Sequence, residues 1–447
     1  MTALWFDTAL LPGGWAKNVR LTVADGLISS VETDAAPLAG DERGRIAVPG
    51  VGNLHSHAFQ RAMAGLTESG ARGGDDFWGW REVMYRFVER LTPEDVEAIA
   101  AQAFAEMLAG GFTRVGEFHY LHHDIDGRAY ADPAEMIHRL VAAAETAGIG
   151  LTLLPVFYAH GGFGGQDVGP RQARFVNSVD EYARLLAAGR LAIAVAPGAR
   201  IGVAPHSLRA VTSDELIEIV ALADGGPIHI HVAEQTAEVE ACLAWSGARP
   251  VAWLMGHADV DATWCLVHAT HMDEAETARL AASGATAGLC PITEANLGDG
   301  LFPAVPYLAA GGAFGVGSDS NVAIDLAQEL RLLEYGQRLE RHGRGVLGSG
   351  ASLFTGALAG GARALGEPRS GIGVGAPADL VSLDTDHPAL SERQGDVLLD
   401  SWIFAAGQSA VDGVWTRGAK VVEGGRHVRG KAIAQRYRAT LKRILSL

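Results

Sequence analysis

The 447-residue chain is almost devoid of lysine. Its only lysines are Lys17, Lys420, Lys431 and Lys442, so residues 18–419 contain none. A Schiff-base aldolase, a phosphate-loop NTPase and a two-metal site bridged by a carbamylated lysine each need a lysine in the active site. These three classes are excluded if the active site lies within residues 18–419.

Cysteine, long apolar runs and positive charge are also scarce. Cys242, Cys265 and Cys290 form no CxxC pair and are odd in number, so neither a disulfide framework nor a cysteine zinc site is indicated, and small core residues are predicted. No apolar run reaches the roughly 18 residues that a membrane span needs, and the first residues, MTALWFDTAL, lack a basic segment. We therefore expect a cytoplasmic protein that does not bind membranes.

The net charge of −16 disfavours binding to nucleic acid, because an acidic surface repels phosphate backbones. An anionic ligand would need a local arginine cluster. With 48% apolar and 20% charged residues, the composition is that of a globular protein.

Residues 46–320 alternate short β-rich runs with longer amphipathic segments, which is typical of a parallel α/β fold. Helices are predicted at 93–109, 133–146 and 213–223. Candidate strands cover eight ranges: 46–57, 112–120, 150–160, 200–207, 227–234, 263–271, 285–293 and 313–320. Eight strands match a closed (β/α)8 TIM barrel.

Both ends of the chain consist of short β-type runs separated by glycine. We expect a small β-sandwich domain from residues 1–48 plus 368–430, a barrel over 49–367 and a C-terminal helix over 431–447. A solvated terminal helix and one packed on the barrel or a second subunit both remain open. Long insertions at 61–92 and 161–178 are more typical of functional loops than of idle ones.

Metal-type side chains occur near the predicted ends of four barrel strands. His55 and His57 share one face of the first strand because side chains alternate along a strand, and barrel active sites lie at the strands' carboxyl ends. His231, His268 and Asp319 follow on the fifth, sixth and eighth strands. An isolated HxH pair is weak evidence of a metal site. Three imidazoles and a carboxylate that converge at one barrel mouth, however, suit zinc or another divalent ion, with one coordination position open for water.

Glu234, just past the fifth strand, could carry a proton from bound water to a leaving group. A helix-capping glutamate at the start of segment 234–245 is the alternative. His229 should face inward one layer deeper and fill the barrel.

The remaining candidates receive structural roles. His119, His122 and His123 are predicted to form a solvated loop, and Glu117 is expected to be buried and to orient a metal ligand. We expect Asp325, Glu294 and the loop 161–165 to shape the pocket. The glycines of that loop do not follow the GxGxxG or GxxxxGK[ST] pattern of a phosphate-binding loop.

These motifs resemble the metal-dependent amidohydrolase superfamily: HSH at 55–57, HVAE at 231–234, the sixth-strand histidine and SDS at 318–320. The segment APADLV at 376–381 is also similar. The resemblance to its deaminase branch implies one divalent metal held by His55, His57, His231 and Asp319. That branch lacks the bridging lysine of its two-metal relatives, which agrees with the lysine gap.

Longer runs resemble the formimidoylglutamate deiminase family of bacterial histidine breakdown: GNLHSHAFQRAMAGL, DFWGWREVMY, APHSLRAVT, HIHVAEQ, WCLVHATH and TEANLGDGLFP. The resemblance spans essentially the whole chain. It implies hydrolysis of N-formimino-L-glutamate to N-formyl-L-glutamate and ammonia by a metal-activated water. Zn²⁺ is expected, although Fe²⁺ and Mn²⁺ suit the same ligands.

The resemblance also implies site residues and an oligomeric state. Catalysis falls to Glu234, His268 and Asp319, and substrate binding to Gln60, Arg81, Tyr120, His206 and Arg209. An arginine guanidinium group can form two parallel hydrogen bonds with a carboxylate, so two arginines suit the two carboxylates of this small-molecule dicarboxylate substrate. We expect a homodimer.

Two rivals remain. One is a deaminase of a ring amidine of the guanine, cytosine or s-triazine type. Such a pocket needs aromatic stacking and amide contacts, whereas two arginines favour a dicarboxylate. The other is a catalytically silent scaffold, against which the retention of every metal-type residue argues.

Overall fold

The computed structural model describes residues 2–68 and 77–446. The predicted insertion 61–92 therefore lies partly outside the described residues, at 69–76, and so do the first residue of the predicted β-domain and the last of the predicted terminal helix. Within the described residues, no helix is both long and apolar enough to cross a membrane.

The centre of the molecule is a closed barrel of parallel strands. Two sheets form its wall, and isolated bridges between Ser56 and Asp319 and between Ser207 and His231 join them at both seams. In the described chain the barrel strands, in order, are Val51–Ser56, Phe112–His119, Gly150–Phe157, Arg200–Ile201 continued by Ala204–Pro205, Ile228–Val232, Trp264–His268, Thr286–Leu289 and Ala313–Val316. The (β/α)8 prediction is confirmed.

Helices surround the barrel and bury their apolar faces against it, which creates the main core. The helix predicted at 93–109 has these bounds, because Thr92 and Asp95 form a capping box and Pro93 occupies the first turn. The others are Glu135–Ala147, Val179–Ile193, Ser213–Ala221, Thr236–Ser246, Pro250–His257, Glu274–Ser283, Pro291–Leu297, Ala304–Ala309, Leu326–Arg341 and Gly350–Ala364.

Strands from both ends of the chain form one hydrogen-bonded sheet beside the barrel. In spatial order they are Arg426–His427, Ala419–Glu423, Val411–Thr416, Leu380–Leu383, Glu42–Pro49, Thr2–Leu11, Gly14–Ala24 and Leu27–Glu32. The sheet has its own apolar core, which includes Phe6, Leu21 and Trp415. A β-domain built from both termini is therefore confirmed.

The strand predicted at 46–57 is two strands. Glu42–Pro49 pairs with the terminal strands, whereas Val51–Ser56 belongs to the barrel, and the break falls at Gly50. A Cβ at Gly50 would lie 2.3 Å from the Thr113 side chain, so only glycine fits where the chain passes between the sheets. The run looks continuous in the sequence because both halves are buried.

The remaining helical segments frame the barrel mouth and the chain end. Ala58–Met63 follows the first barrel strand, Phe77–Val88 lies in the first insertion, and Pro170–Gln172 is a short turn in the second. Val397–Ser401, Trp402–Ala406 and Gly407–Ala410 precede the last strands. The terminal helix Gly430–Leu445 packs on Pro93–Ala109, so it lies against the barrel and is not free in solvent.

Candidate metal centre and substrate cavity

The predicted metal ligands meet at the carboxyl ends of the barrel strands. Asp319 Oδ1 lies 3.4 Å from His55 Nε2 and 3.3 Å from His57 Nε2, and His231 Nε2 lies 3.0 Å from His55 Nε2. All four side chains are buried, and one donor atom of each lies within 4.8 Å of the others. Gly317 permits this convergence, since a Cβ there would lie 2.7 Å from the His55 carbonyl oxygen.

Hydrogen bonds fix which ring nitrogen faces the centre. His57 Nδ1 lies 2.8 Å from the Phe118 carbonyl and His231 Nδ1 lies 3.1 Å from the His206 carbonyl. A carbonyl oxygen only accepts, so each Nδ1 carries the hydrogen and each Nε2 presents a lone pair. Burial lowers the pKa of both rings, which keeps them neutral.

This arrangement needs a cation. Burial also lowers the pKa of His55, to about 3. Burial alone would raise the pKa of Asp319, but its hydrogen bond to His55 and the neighbouring histidines hold it below its usual value. Imidazole lone pairs and one carboxylate thus converge in a buried space, which is the donor set of a divalent metal site.

Two acidic side chains flank His268 beside this centre. Glu234 Oε1 lies 3.8 Å from His268 Nε2, and Glu294 Oε1 lies 3.3 Å from His268 Nδ1. Burial alone would lower the pKa of His268, but the nearby carboxylates outweigh it and raise the pKa to about 10. Burial raises the pKa of Glu234. Glu294, predicted from the sequence to shape the pocket, does not line the cavity but contacts His268.

The backbone at the strand ends is held in unusual conformations. His268 has φ of 67° and Asp319 has φ of 44°, a region that residues other than glycine rarely adopt. Asn321 braces this segment: its Nδ2 donates to the carbonyls of His57 and Asp319 and to Ser56 Oγ. Asn321 could not be recognised from the sequence, since two of these partners, Ser56 and His57, lie more than 260 residues away.

A cavity of about 230 Å³ opens onto the metal centre. Its wall includes all five side chains that the sequence assigned to substrate binding: Gln60, Arg81, Tyr120, His206 and Arg209. Glu234, His268 and Asp319 line the same space. Residues spread over about 260 positions of the chain are thus brought together.

Polar contacts orient the wall of the cavity. Gln60 Nε2 donates to the Tyr120 hydroxyl at 2.9 Å, whereas buried Gln60 Oε1 has no partner within the described residues. The Arg81 guanidinium lies over the Tyr85 ring, 5.2 Å from its centroid. Arg209 is close enough to Tyr85 to lower the pKa that burial has raised. The cavity therefore offers two guanidinium groups and one free amide oxygen.

Several structural predictions are wrong. His119 and His122 do not form a solvated loop: they are 1% and 3% exposed and bond to the carbonyls of Leu121 and Val156. His123 is partly buried and bonds to the Val176 carbonyl. Asp325 does not line the cavity; its side chain accepts from Ala327 N and caps the helix Leu326–Arg341.

The predicted burial of other residues is confirmed. Glu117 is buried, accepts from Ala58 N at 2.8 Å, and has its pKa raised to about 8 by burial. His229 is buried and contacts the Ala364 carbonyl, and the cysteines are buried. The capping alternative for Glu234 fails, because the following helix, Thr236–Ser246, has Gln235 at its N-cap and no side-chain cap hydrogen bond.

The barrel and its centre define a class: a metal-dependent hydrolase whose ligands lie at the strands' carboxyl ends. Comparison with known proteins agrees. Residues 46–421 match the model of the Amidohydrolase family, and residues 1–45 match that of the Formimidoylglutamate deiminase HutF, N-terminal domain. The chain belongs to the amidohydrolase family, among its formimidoylglutamate deiminases.

Individual relatives are similar over most or all of their length. The chain is 50% identical to the formimidoylglutamate deiminase of Pseudomonas aeruginosa, with 100% of both chains covered. A 5-methylthioadenosine/S-adenosylhomocysteine deaminase of Natronomonas pharaonis is 29% identical over 86% of each chain. The crystal structure of an amidohydrolase from Brucella melitensis superposes with a TM-score of 0.97, at 53% identity and 100% coverage of both chains.

Proposed function

We propose that the protein hydrolyses N-formimino-L-glutamate to N-formyl-L-glutamate and ammonia. The observation that carries this proposal is one cavity that joins Arg81 and Arg209 to the buried histidine and aspartate centre. The likeness to the formimidoylglutamate deiminase of Pseudomonas aeruginosa supports the same substrate. A neutral ring amidine has no carboxylate for either guanidinium group to bind.

The cavity wall binds and orients the substrate. Arg81 and Arg209 hold the two carboxylates, which offsets the repulsion expected from a chain with net charge −16. Gln60 Oε1, which has no partner in the described structure, accepts an N–H of the amidine. Tyr120 and His206 complete the wall beside the reacting carbon.

A divalent ion bound by His55, His57, His231 and Asp319 would lower the pKa of a coordinated water to about 7 and so supply a nucleophile at neutral pH. We propose zinc as this ion, since nitrogen donors with one carboxylate suit it; iron(II) and manganese(II) are the alternatives.

Glu234 and His268 handle protons at the reacting carbon. As water adds to the C=N bond, Glu234 takes one proton from the water and delivers it to the nitrogen, which becomes an amino group. The remaining hydroxyl proton follows by the same route as the C–N bond breaks, so the carbon keeps a carbonyl oxygen and the nitrogen leaves as ammonia. Asp319 accepts from the attacking water during this transfer. His268, held by Glu294 at Nδ1, presents Nε2 towards the oxygen of the tetrahedral species.

We also propose a role in histidine degradation, a cytoplasmic location and a homodimer. The last follows from the frequency of symmetric dimers among enzymes. The division proposed for the chain is a β-domain over 1–48 plus 368–430, a barrel over 49–367 and a terminal helix over 431–447. The continuous terminal sheet and the helix Gly430–Leu445 support it.

The test is release of ammonia and N-formylglutamate from N-formimino-L-glutamate by metal-loaded protein. Formiminoglycine, which lacks the side-chain carboxylate, and guanine, a ring amidine, are the comparison substrates. We expect efficient turnover of the glutamate compound alone. Preferred turnover of guanine would overturn the proposal in favour of a ring-amidine deaminase.

A further inference from the structure

Tyr158 is a cavity residue with no role in the reaction described above. It directly follows the third barrel strand, Gly150–Phe157, and is 6% exposed. Its ring centroid lies 4.8 Å from that of His206, and the His206 ring lies 5.0 Å from that of His231. His206 thus links Tyr158 to the metal centre, and Tyr158 lies one ring further out.

A hydrogen bond from Gln172 determines the donor and acceptor roles of the Tyr158 hydroxyl group. Gln172 Oε1 accepts from the Gly169 N–H at 2.7 Å, which fixes the orientation of the amide. Gln172 Nε2 therefore donates to the Tyr158 hydroxyl oxygen, at 2.5 Å. Since the oxygen is the acceptor in this bond, the hydroxyl hydrogen is left to donate to another group.

The second long insertion holds this pair in place. Gln172 ends the short helix Pro170–Gln172 and is 7% exposed. Neighbouring Arg171 bonds Glu82 at 2.5 Å, which ties the insertion to the helix Phe77–Val88. Asn177 N donates to the Tyr158 carbonyl at 3.0 Å. Both side chain and backbone of Tyr158 are thus set by this insertion.

The surroundings of the hydroxyl suit an anion. Tyr158 and Tyr120 both pack on Phe175, at 5.8 and 5.0 Å between ring centroids, and each accepts a hydrogen bond from a glutamine amide. Tyr158 is also close enough to Arg209 for the two groups to interact electrostatically. Hydroxyl donors next to a guanidinium form a carboxylate site.

We propose that Tyr158 donates its hydroxyl hydrogen to the side-chain carboxylate of the substrate, with Gln172 as the positioning residue. This inference rests on the proposed function. The α-carboxylate is attached to the carbon that bears the amidine, so it stays near the metal centre. The side-chain carboxylate lies further along the substrate, towards Tyr158.

The first test is Tyr158→Phe, which removes the hydroxyl and keeps the ring. With N-formimino-L-glutamate we expect kcat/KM to fall about 10- to 100-fold, mainly through KM, because a hydrogen bond to a charged group is lost. With formiminoglycine we expect kcat/KM close to that of the wild type. An equal loss on both substrates, or none on either, would overturn the proposal.

Tyr182→Phe is the matched control. Tyr182 is also buried, but its hydroxyl donates to the Pro155 carbonyl and does not line the cavity. We expect this variant to lose thermal stability and to retain wild-type kinetics with both substrates.

Gln172→Leu tests the positioning role. It should raise KM for N-formimino-L-glutamate less than Tyr158→Phe does, and should add nothing in the Tyr158→Phe background. Additive losses in the double variant would show that Gln172 acts independently of Tyr158 and would contradict its role.

Calorimetric binding of N-formyl-L-glutamate separates this inference from the proposed function. Absent turnover by the wild type would contradict only the proposed function. A dissociation constant unchanged by Tyr158→Phe would contradict this inference whether or not the protein turns over the substrate.

Discussion

Replacement of Glu234 by glutamine should nearly abolish turnover and leave metal content intact. The side chain is 6% exposed and its Oε1 lies 3.8 Å from His268 Nε2, beside the metal donors but not among them. Glutamine has the same shape but cannot carry a proton. Loss of general acid–base catalysis typically costs 10²- to 10⁴-fold, so kcat should fall by about that factor, or roughly 3–5 kcal/mol in activation free energy.

The assay is steady-state ammonia release, with the metal in the same sample measured by mass spectrometry. KM should change little, because the substrate carboxylates bind elsewhere. Glu334→Gln is the control: Glu334 is fully buried but accepts from Val346 N and Leu347 N, outside the cavity. It should lower stability and leave kcat near wild type. Near-native turnover by Glu234→Gln, or loss of its metal, would refute the reasoning.

Three further predictions concern binding, acid stability and helix capping. Arg209→Met should lower kcat/KM for N-formimino-L-glutamate about a hundredfold or more, because a bidentate carboxylate partner is lost; an unchanged value would contradict its role. Burial lowers the pKa of His122 from 6.5 to about 3, so the unfolded chain takes up a proton first as pH falls. The free energy of unfolding therefore falls as the pH drops from 6.5 to 3, by about 3 kcal/mol at pH 4.5. In urea unfolding, the free energy of unfolding of His122→Asn should depend on pH less steeply than that of the wild type, by the equivalent of about one proton. Thr92→Ala should cost about 1 kcal/mol in urea unfolding without affecting kcat, since it removes the capping box of Pro93–Ala109; no change in stability would contradict this.

The metal donors could be found from the sequence because two regularities constrain them. Alternation along a strand puts His55 and His57 on one face, and a parallel barrel gathers all its carboxyl ends at one mouth. Neither regularity requires knowledge of loop geometry. The same logic placed His231 and His268 on the correct strands and Asp319 just past the end of the eighth.

Residues fixed by tertiary contacts could not be found in this way. His119 and His122 are buried because the segment around Arg174 covers them. The Arg174 carbonyl accepts hydrogen bonds from the backbone N–H groups of His122 and His123. The pairing of Gln172 with Tyr158 depends likewise on how the second insertion folds over the mouth. Hydrophobic patterning carries no information about such loops.

The most direct test of the account is titration of metal-depleted protein with Zn²⁺ while N-formylglutamate formation is measured. We predict that activity is absent without metal, rises linearly, and stops at one ion per chain, and that His231→Asn protein gains no activity over the same range. Substantial activity in the metal-free protein, or no turnover at full occupancy, would contradict the claim that this centre performs the deimination.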